Sequence, residues 1–232
     1  MHILLTRPLE DSLMMIKKFR DLGHDVSHLP LLKIEQVENS NFDFKNYDAL
    51  IFSSSNSIKY LDKTNINKNI KCFSVGPATE NKIRSLGFQN VIPAEGSVNS
   101  LIEIIQNNFN PSDGKLLYIS GETIAYELDK DLKSKGYKVD RLINYKTTYN
   151  DFDDTNFINE LKKNIPNIVY IYSENSAKSF LKFINNSGLK DEWMDTNLMC
   201  MGEKASTILN DIKWKKIFLF NPGEEEFLLY KI

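Results

Sequence analysis

Residues 49–59 read Ala-Leu-Ile-Phe-Ser-Ser-Ser-Asn-Ser-Ile-Lys, and residues 168–178 read Ile-Val-Tyr-Ile-Tyr-Ser-Glu-Asn-Ser-Ala-Lys. Each is an unbroken apolar run of strand length that gives way to Ser-x-Asn-Ser-apolar-Lys. A short run with no polar alternation is a strand buried on both faces. Ser and Asn directly after it are the residues that cap a helix N-terminus. Strand, polar turn and helix make the βα unit of a parallel sheet. Each copy then leads to a second strand that stops at a glycine, in Val75-Gly76-Pro77-Ala78-Thr79 and Met201-Gly202-Glu203-Lys204-Ala205. The chain writes the same unit twice.

A second repeat extends the first. Aligning Gly23 with Gly136 superposes Ile3-Leu4-Leu5 on Leu116-Leu117-Tyr118, Val26 on Val139 and Leu29 on Leu142. Both read strand, helix, glycine, strand, with the glycine as a helix stop where a positive φ is needed. Strands are expected at Ile3–Leu5, Asp25–His28, Ala49–Phe52, Lys71–Val75, Asn90–Ile92, Lys115–Ile119, Lys138–Ile143, Ile168–Tyr172, Leu198–Met201 and Lys216–Phe220. Helices between them include Glu10–Leu22, with Leu13, Ile16 and Phe19 inward, and Ala78–Leu86, Val98–Asn108, Thr123–Lys135 and Ala177–Asn185. These strands are too many for one sheet in 232 residues. The expectation is an α/β protein with two five-stranded, flavodoxin-like, doubly wound parallel-sheet domains joined by a two-stranded linker. Residues 1–32 plus 151–232 form the first domain, 38–144 an inserted second, and 33–37 and 145–150 the linker strands.

Composition narrows the class of function. With 29 basic and 31 acidic residues, a net charge of −2 and the two signs interleaved, the chain lacks the clustered basic face of a nucleic-acid binder. No apolar stretch reaches the ~20 residues of a membrane span, and the N-terminus has no signal-peptide layout, so a cytoplasmic protein is expected. Cys72 and Cys200 sit in apolar runs and read as reduced, buried strand residues. His2, His24 and His28 lie far from both in sequence, which disfavours a zinc site.

In a doubly wound sheet, ligands bind beyond the carboxyl ends of the strands. The turns there are rich in hydroxyls and amides: Thr6-Arg7-Pro8, Ser53-Ser54-Ser55-Asn56, Gly76-Pro77-Ala78-Thr79, Ser120-Gly121-Glu122-Thr123, Ser173-Glu174-Asn175-Ser176 and Gly202-Glu203-Lys204. Any one of them, alone, is an ordinary helix cap. Six together suggest a polar cleft lined by helix N-termini, which favours anions. There is no phosphate loop, dinucleotide fingerprint or nucleophile elbow. Ser54 and Ser173 therefore read as hydrogen-bond donors, and the ligand as a large anion handled without a metal or a nucleophile.

These residues carry a resemblance. Ile3-Leu4-Leu5-Thr6-Arg7-Pro8, Gly23 and Leu29-Pro30-Leu31 resemble the start of the uroporphyrinogen-III synthase family, as does Ile51-Phe52-Ser53-Ser54 leading to a helix at Asn56. Val75-Gly76-Pro77-Ala78-Thr79 is similar to its Val-Gly-x-x-Thr turn, and Gly121, Leu128, Leu132 and Gly136 to its Gly…Leu…Leu…Gly helix. Tyr145-Lys146-Thr147 matches its Tyr-x-Thr linker, and Tyr172-Ser173, Met201-Gly202 and Trp214 to Leu228 complete the series. The chain departs from the family at Ala205, at Ala125, and at Ser55 and Glu174 where proline is usual, while Glu174 and Glu203 bring negative charge.

The resemblance implies a cofactor-free lyase that cyclises hydroxymethylbilane to uroporphyrinogen III, working as a monomer with passing contact to hydroxymethylbilane synthase. It implies Tyr145 as the group assisting departure of the hydroxyl. Substrate contacts would come from Thr6, Arg7, Ser53, Ser54, Asn56, Gly76, Thr79, Gly121, Ser173, Asn175, Ser176, Gly202 and Lys204. Two other readings stay open: a two-domain module that binds an anion without catalysis, and a nucleotide-sugar transferase. The second is disfavoured because no Asp-x-Asp motif stands at a strand end, and the Asp151-Phe152-Asp153 match lies at the linker.

Overall fold

A computed structural model describes residues 1–38, 43–61, 66–150, 152, 154–221 and 223–226. Asp151, Asp153 and Leu228 lie outside the described residues. In chain order the elements are β1 (His2–Leu5), α1 (Leu9–Asp21), β2 (Asp25–His28), β3 (Leu32–Gln36), a 3-10 turn (Phe44–Asn46), β4 (Ala49–Phe52) and α2 (Asn56–Lys59). There follow β5 (Lys71–Ser74), α3 (Pro77–Ser85), β6 (Val91–Pro93), α4 (Val98–Asn108), β7 (Lys115–Gly121), α5 (Leu128–Ser134) and β8 (Lys138–Tyr149). The last are α6 (Thr155–Lys163), β9 (Ile168–Ile171), α7 (Glu174–Ser187), β10 (Asn197–Met201), α8 (Glu203–Ile208) and β11 (Lys216–Phe220). None of the described helices is long and apolar enough to cross a membrane.

The chain divides into two compact units, Met1–Lys33 with Thr148–Ile232, and Ile34–Thr147. The first holds a five-stranded sheet in the order β11-β10-β9-β1-β2, parallel throughout. The second sheet runs β3-β8-β7-β4-β5-β6, and its β8-to-β6 pairs are parallel. It therefore has six strands among the described residues where five were expected, because β3 adds to the edge of the long β8. Val37 N–H donates to the Asn144 carbonyl and Asn150 N–H to the Leu31 carbonyl, so β3 and β8 run in opposite directions.

The central strands of both sheets are buried on both faces, as the apolar runs demand. In the first, Leu4, Val169, Ile171, Leu198 and Cys200 join one core, and the alternate residues Ile3, Leu5, Ile168, Tyr170 and Met199 join the other. In the second, Leu50, Phe52, Cys72, Leu117 and Ile119 face one way and Ala49, Ile51, Phe73, Leu116 and Tyr118 the opposite way. Successive strand residues point to opposite faces, so an unbroken apolar run fills two cores at once. Burial pushes both thiols, Cys72 and Cys200, up to about 12, which keeps them protonated.

The repeat acquires a spatial meaning. The orders β2-β1-β9-β10-β11 and β8-β7-β4-β5-β6 make β1 the counterpart of β7, β2 of β8, β9 of β4 and β10 of β5. These are the pairs that the aligned residues link. The chain visits the equivalent positions in permuted order, starting the second unit at the copy of β9. Numbered by chain order within its unit, the first sheet reads 2-1-3-4-5 and the second, leaving out the edge strand β3, reads 5-4-1-2-3. The second unit thus departs from the expected flavodoxin connectivity.

Two helix expectations are corrected. The inward stripe of α1 is Ser12, Ile16 and Phe19, and Leu13 is 54% exposed. Positions i, i+4 and i+7 face the sheet, and the polar member is satisfied because the Ser12 hydroxyl donates to the Arg7 carbonyl. Helix α5 begins at Leu128, not Thr123. Arg141 binds the Gly121 and Glu122 carbonyls and Glu122 N–H donates to the Tyr145 carbonyl, so this backbone continues the sheet instead of coiling.

Candidate active site

Parallel strands end at one edge, and each unit collects its expected residues there. In the first unit β1, β9 and β10 are neighbours, so Thr6, Arg7, Ser173, Gly202 and Lys204 leave the sheet side by side. Thr6 is buried and its hydroxyl donates to the Tyr170 carbonyl at 2.6 Å, tying β1 to β9. Replacing that hydroxyl in Thr6→Val is expected to cost about 1 kcal/mol, a typical net hydrogen bond. Urea titration checks it: an unchanged midpoint would mean the bond contributes nothing.

Arg7 lies over the buried Tyr172 ring, its Cζ 4.9 Å from the centroid, and its Nη2 is 3.8 Å from Asp11. Its carbonyl is held by Ser12 and by His28 Nε2. Burial and then Glu225 push the Tyr172 phenol far up. A guanidinium over an uncharged ring at a strand end retains its reach toward an anion.

Ser173 caps the 14-residue α7: its hydroxyl accepts from Ser176 N–H at 3.1 Å, and the Ser176 hydroxyl closes the box by accepting from Ser173 N–H at 2.8 Å. Asn175 is exposed in the first turn. Gly202 takes φ 89° before α8, a conformation that favours glycine. Lys204 is exposed and stands 3.8 Å from Glu174, so the acidic departure is offset by a neighbouring cation.

In the second unit the neighbours β8, β7, β4 and β5 bring together Tyr145, Gly121, Ser53, Ser54, Asn56, Gly76 and Thr79. The Ser53 hydroxyl is 2.7 Å from that of Tyr118, a phenol pushed up by burial. Ser54 Oγ accepts from Asn56 N–H at 3.2 Å and starts the four-residue α2. Gly76 opens α3 in extended backbone, where an added Cβ would crowd Gly96 Cα at 3.3 Å. Thr79 is buried in the first turn and its N–H donates to the Gly76 carbonyl. Gly121 closes β7, so the Ser120–Thr123 turn is a strand end and not the helix N-terminus expected there.

Tyr145 is buried in β8 against Gly121. Arg141 and Asn144, which the sequence does not single out, shape this corner. The one available signal is an arginine inside a half-buried strand, where its donors call for acceptors. Among the described residues, no group of three or more His, Cys, Asp or Glu could hold a metal ion.

Comparison with known proteins agrees over most of this length. A family model described as uroporphyrinogen-III synthase HemD matches residues 14–219. The uroporphyrinogen-III synthase of Saccharomyces cerevisiae is 30% identical over 127 residues, half of this chain, and the matched part spans 46% of that relative. The chain thus spans about half the length of the curated relative it matches. The crystal structure of uroporphyrinogen-III synthetase from Helicobacter pylori superposes with a TM-score of 0.66 at 17% identity, covering 100% of this chain and 99% of that one. A mutant uroporphyrinogen III synthase from the extremely thermophilic bacterium Thermus thermophilus gives 0.56 at 12% identity, covering 99% and 96%. These two likenesses establish a shared α/β fold, and the family match adds the sequence signature. The chain belongs to the uroporphyrinogen-III synthase family.

Proposed function

We propose that the chain converts hydroxymethylbilane to uroporphyrinogen III, closing the ring with ring D inverted and losing water. The observation that carries this reading is the family match across residues 14–219, joined to polar strand-end rims in both units. The bilane carries eight carboxylates. Arg7, Lys204 and the N-termini of α3 and α7 offer the cations and N–H groups that such a ligand takes up. Thr6, Ser53, Ser54, Asn56, Gly76, Thr79, Gly121, Ser173, Asn175, Ser176 and Gly202 complete the proposed contacts.

Tyr145 acts on the leaving hydroxyl. Its phenol donates a proton as the C–O bond breaks, water departs, and an azafulvene cation remains. The substituted carbon of ring D then attacks, forming a spiro intermediate. Its original bond to the bridging carbon breaks and re-forms at the free α-carbon, which inverts the ring, and the proton lost from that α-carbon restores the phenol. In water the same cation closes head to tail to the symmetric isomer. The protein's contribution is to hold the terminal rings in one geometry and to keep water from the cation.

We read the first unit as a flavodoxin-like doubly wound domain, supported by its 2-1-3-4-5 order, and the second as its permuted counterpart. Domain limits of 1–32 plus 151–232 and 38–144, with linkers at 33–37 and 145–150, fit that reading. The test is to incubate the protein with hydroxymethylbilane and separate the product isomers. Uroporphyrinogen III in excess of the symmetric isomer is expected. Symmetric product alone, at the spontaneous rate, overturns the activity and leaves a binding module.

A further inference from the structure

The pairing of β7 with β8 is regular from Lys115↔Lys138 to Ser120↔Ile143, and then slips: Gly121 pairs with Tyr145, leaving Asn144 as an extra residue in β8. A bulge of this kind re-aims the side chains that follow it. Here it is held from two sides. The Asn144 carbonyl accepts from Val37 N–H at 3.1 Å, and its side-chain amide donates to the Ser57 carbonyl at 2.6 Å. Among the described residues its Oδ1 is buried without a hydrogen-bond partner, a cost that packing alone would not select.

Across the bulge, Arg141 Nε donates to Ser120 Oγ at 2.8 Å, and its Nη2 donates to the carbonyls of Gly121 at 2.7 Å and Glu122 at 2.8 Å. Glu122 N–H then donates to the Tyr145 carbonyl at 2.9 Å. Gly121 is not among the glycines with positive φ, so its backbone does not require glycine. Space does. A Cβ there would stand 2.7 Å from both Cε2 and Cζ of Tyr145 and 3.0 Å from its hydroxyl oxygen.

We propose that Arg141, the Asn144 bulge and the bare face of Gly121 form a seat that fixes the Tyr145 phenol for cyclisation. Arg141 and Gly121 are positioning residues, and the inference rests on the reading of Tyr145 given above. The three hydrogen bonds of the Arg141 guanidinium end on Ser120, Gly121 and Glu122, the strand end against which Tyr145 lies. The arginine therefore acts through that strand end on where the ring sits.

A double-mutant cycle on the whole chain tests the seat. Gly121→Ala and Arg141→Gln are each made in the native protein and in Tyr145→Phe, and kcat, KM and thermal midpoint are measured with hydroxymethylbilane. In the native background each is expected to lower kcat about tenfold or more while KM moves less than about threefold. In the Tyr145→Phe background each should cost less than about twofold further, because the group being positioned is already gone. Equal losses in both backgrounds overturn the proposal, as does a native-background kcat that stays within about twofold. Should Gly121→Ala not fold, Arg141→Gln leaves the glycine's space intact and carries the test. A Tyr145→Phe protein that turns over at the native rate defeats the tyrosine's role itself, an outcome distinct from a slow Tyr145→Phe with additive losses.

Discussion

Tyr145→Phe is expected to lower kcat for uroporphyrinogen III formation by about 100-fold, the lower end of what a positioned proton donor supplies. The substitution removes one oxygen and keeps the ring. That ring is what fills the space beside Gly121, so packing at the bulge survives and the thermal midpoint should hold. KM should change little, because the carboxylates are bound by other groups. The isomer ratio gives a second readout. If the hydroxyl only speeds departure of water, the slower enzyme still makes the inverted isomer. A kcat within about threefold of native, with folding retained, would remove the hydroxyl from the mechanism.

Phe180→Ala is expected to destabilise the first unit by about 3–5 kcal/mol, from lost burial plus the cavity left behind. Phe180 is fully buried in α7, and its ring lies 5.3 Å from that of Trp193, 6.2 Å from Phe183 and 6.3 Å from Trp214. Single domains are stable by about 5–15 kcal/mol, so this loss removes a large part of the total. The measurement is clean because the chain has two tryptophans, Trp193 and Trp214, and both sit around this ring. Their emission during urea titration reports on the first unit alone. A loss below about 1 kcal/mol would mean that the aromatic cluster closes over the gap.

Strands Asp25–His28, Ala49–Phe52 and Lys216–Phe220 and helix Val98–Asn108 are legible in the sequence to the residue. An apolar run that ends in Ser, Asn or Gly states its own limits, since burial and capping act on neighbours in the chain. The phase of α1 is misleading at Leu13 because Ser12 looks polar and outward until the Arg7 carbonyl is there to receive its hydroxyl. The start of α5 is hidden because nothing local to Glu122 announces that Arg141 will take its carbonyl. The rim residues are legible as strand ends. Their partners, such as Tyr118 for Ser53 and Tyr170 for Thr6, lie 65 and 164 residues away and carry no local sign.

By itself, the amino-acid order determined the α/β class and the repeated βα unit, because periodicity, capping and glycine stops are properties of adjacent residues, and its motifs carried the resemblance to the family. Folding alone decided the permuted path through the second sheet, the extra residue at Asn144 and the seat under Tyr145. Those depend on pairing register and on donors meeting acceptors from distant strands, and only close packing in three dimensions sets such meetings.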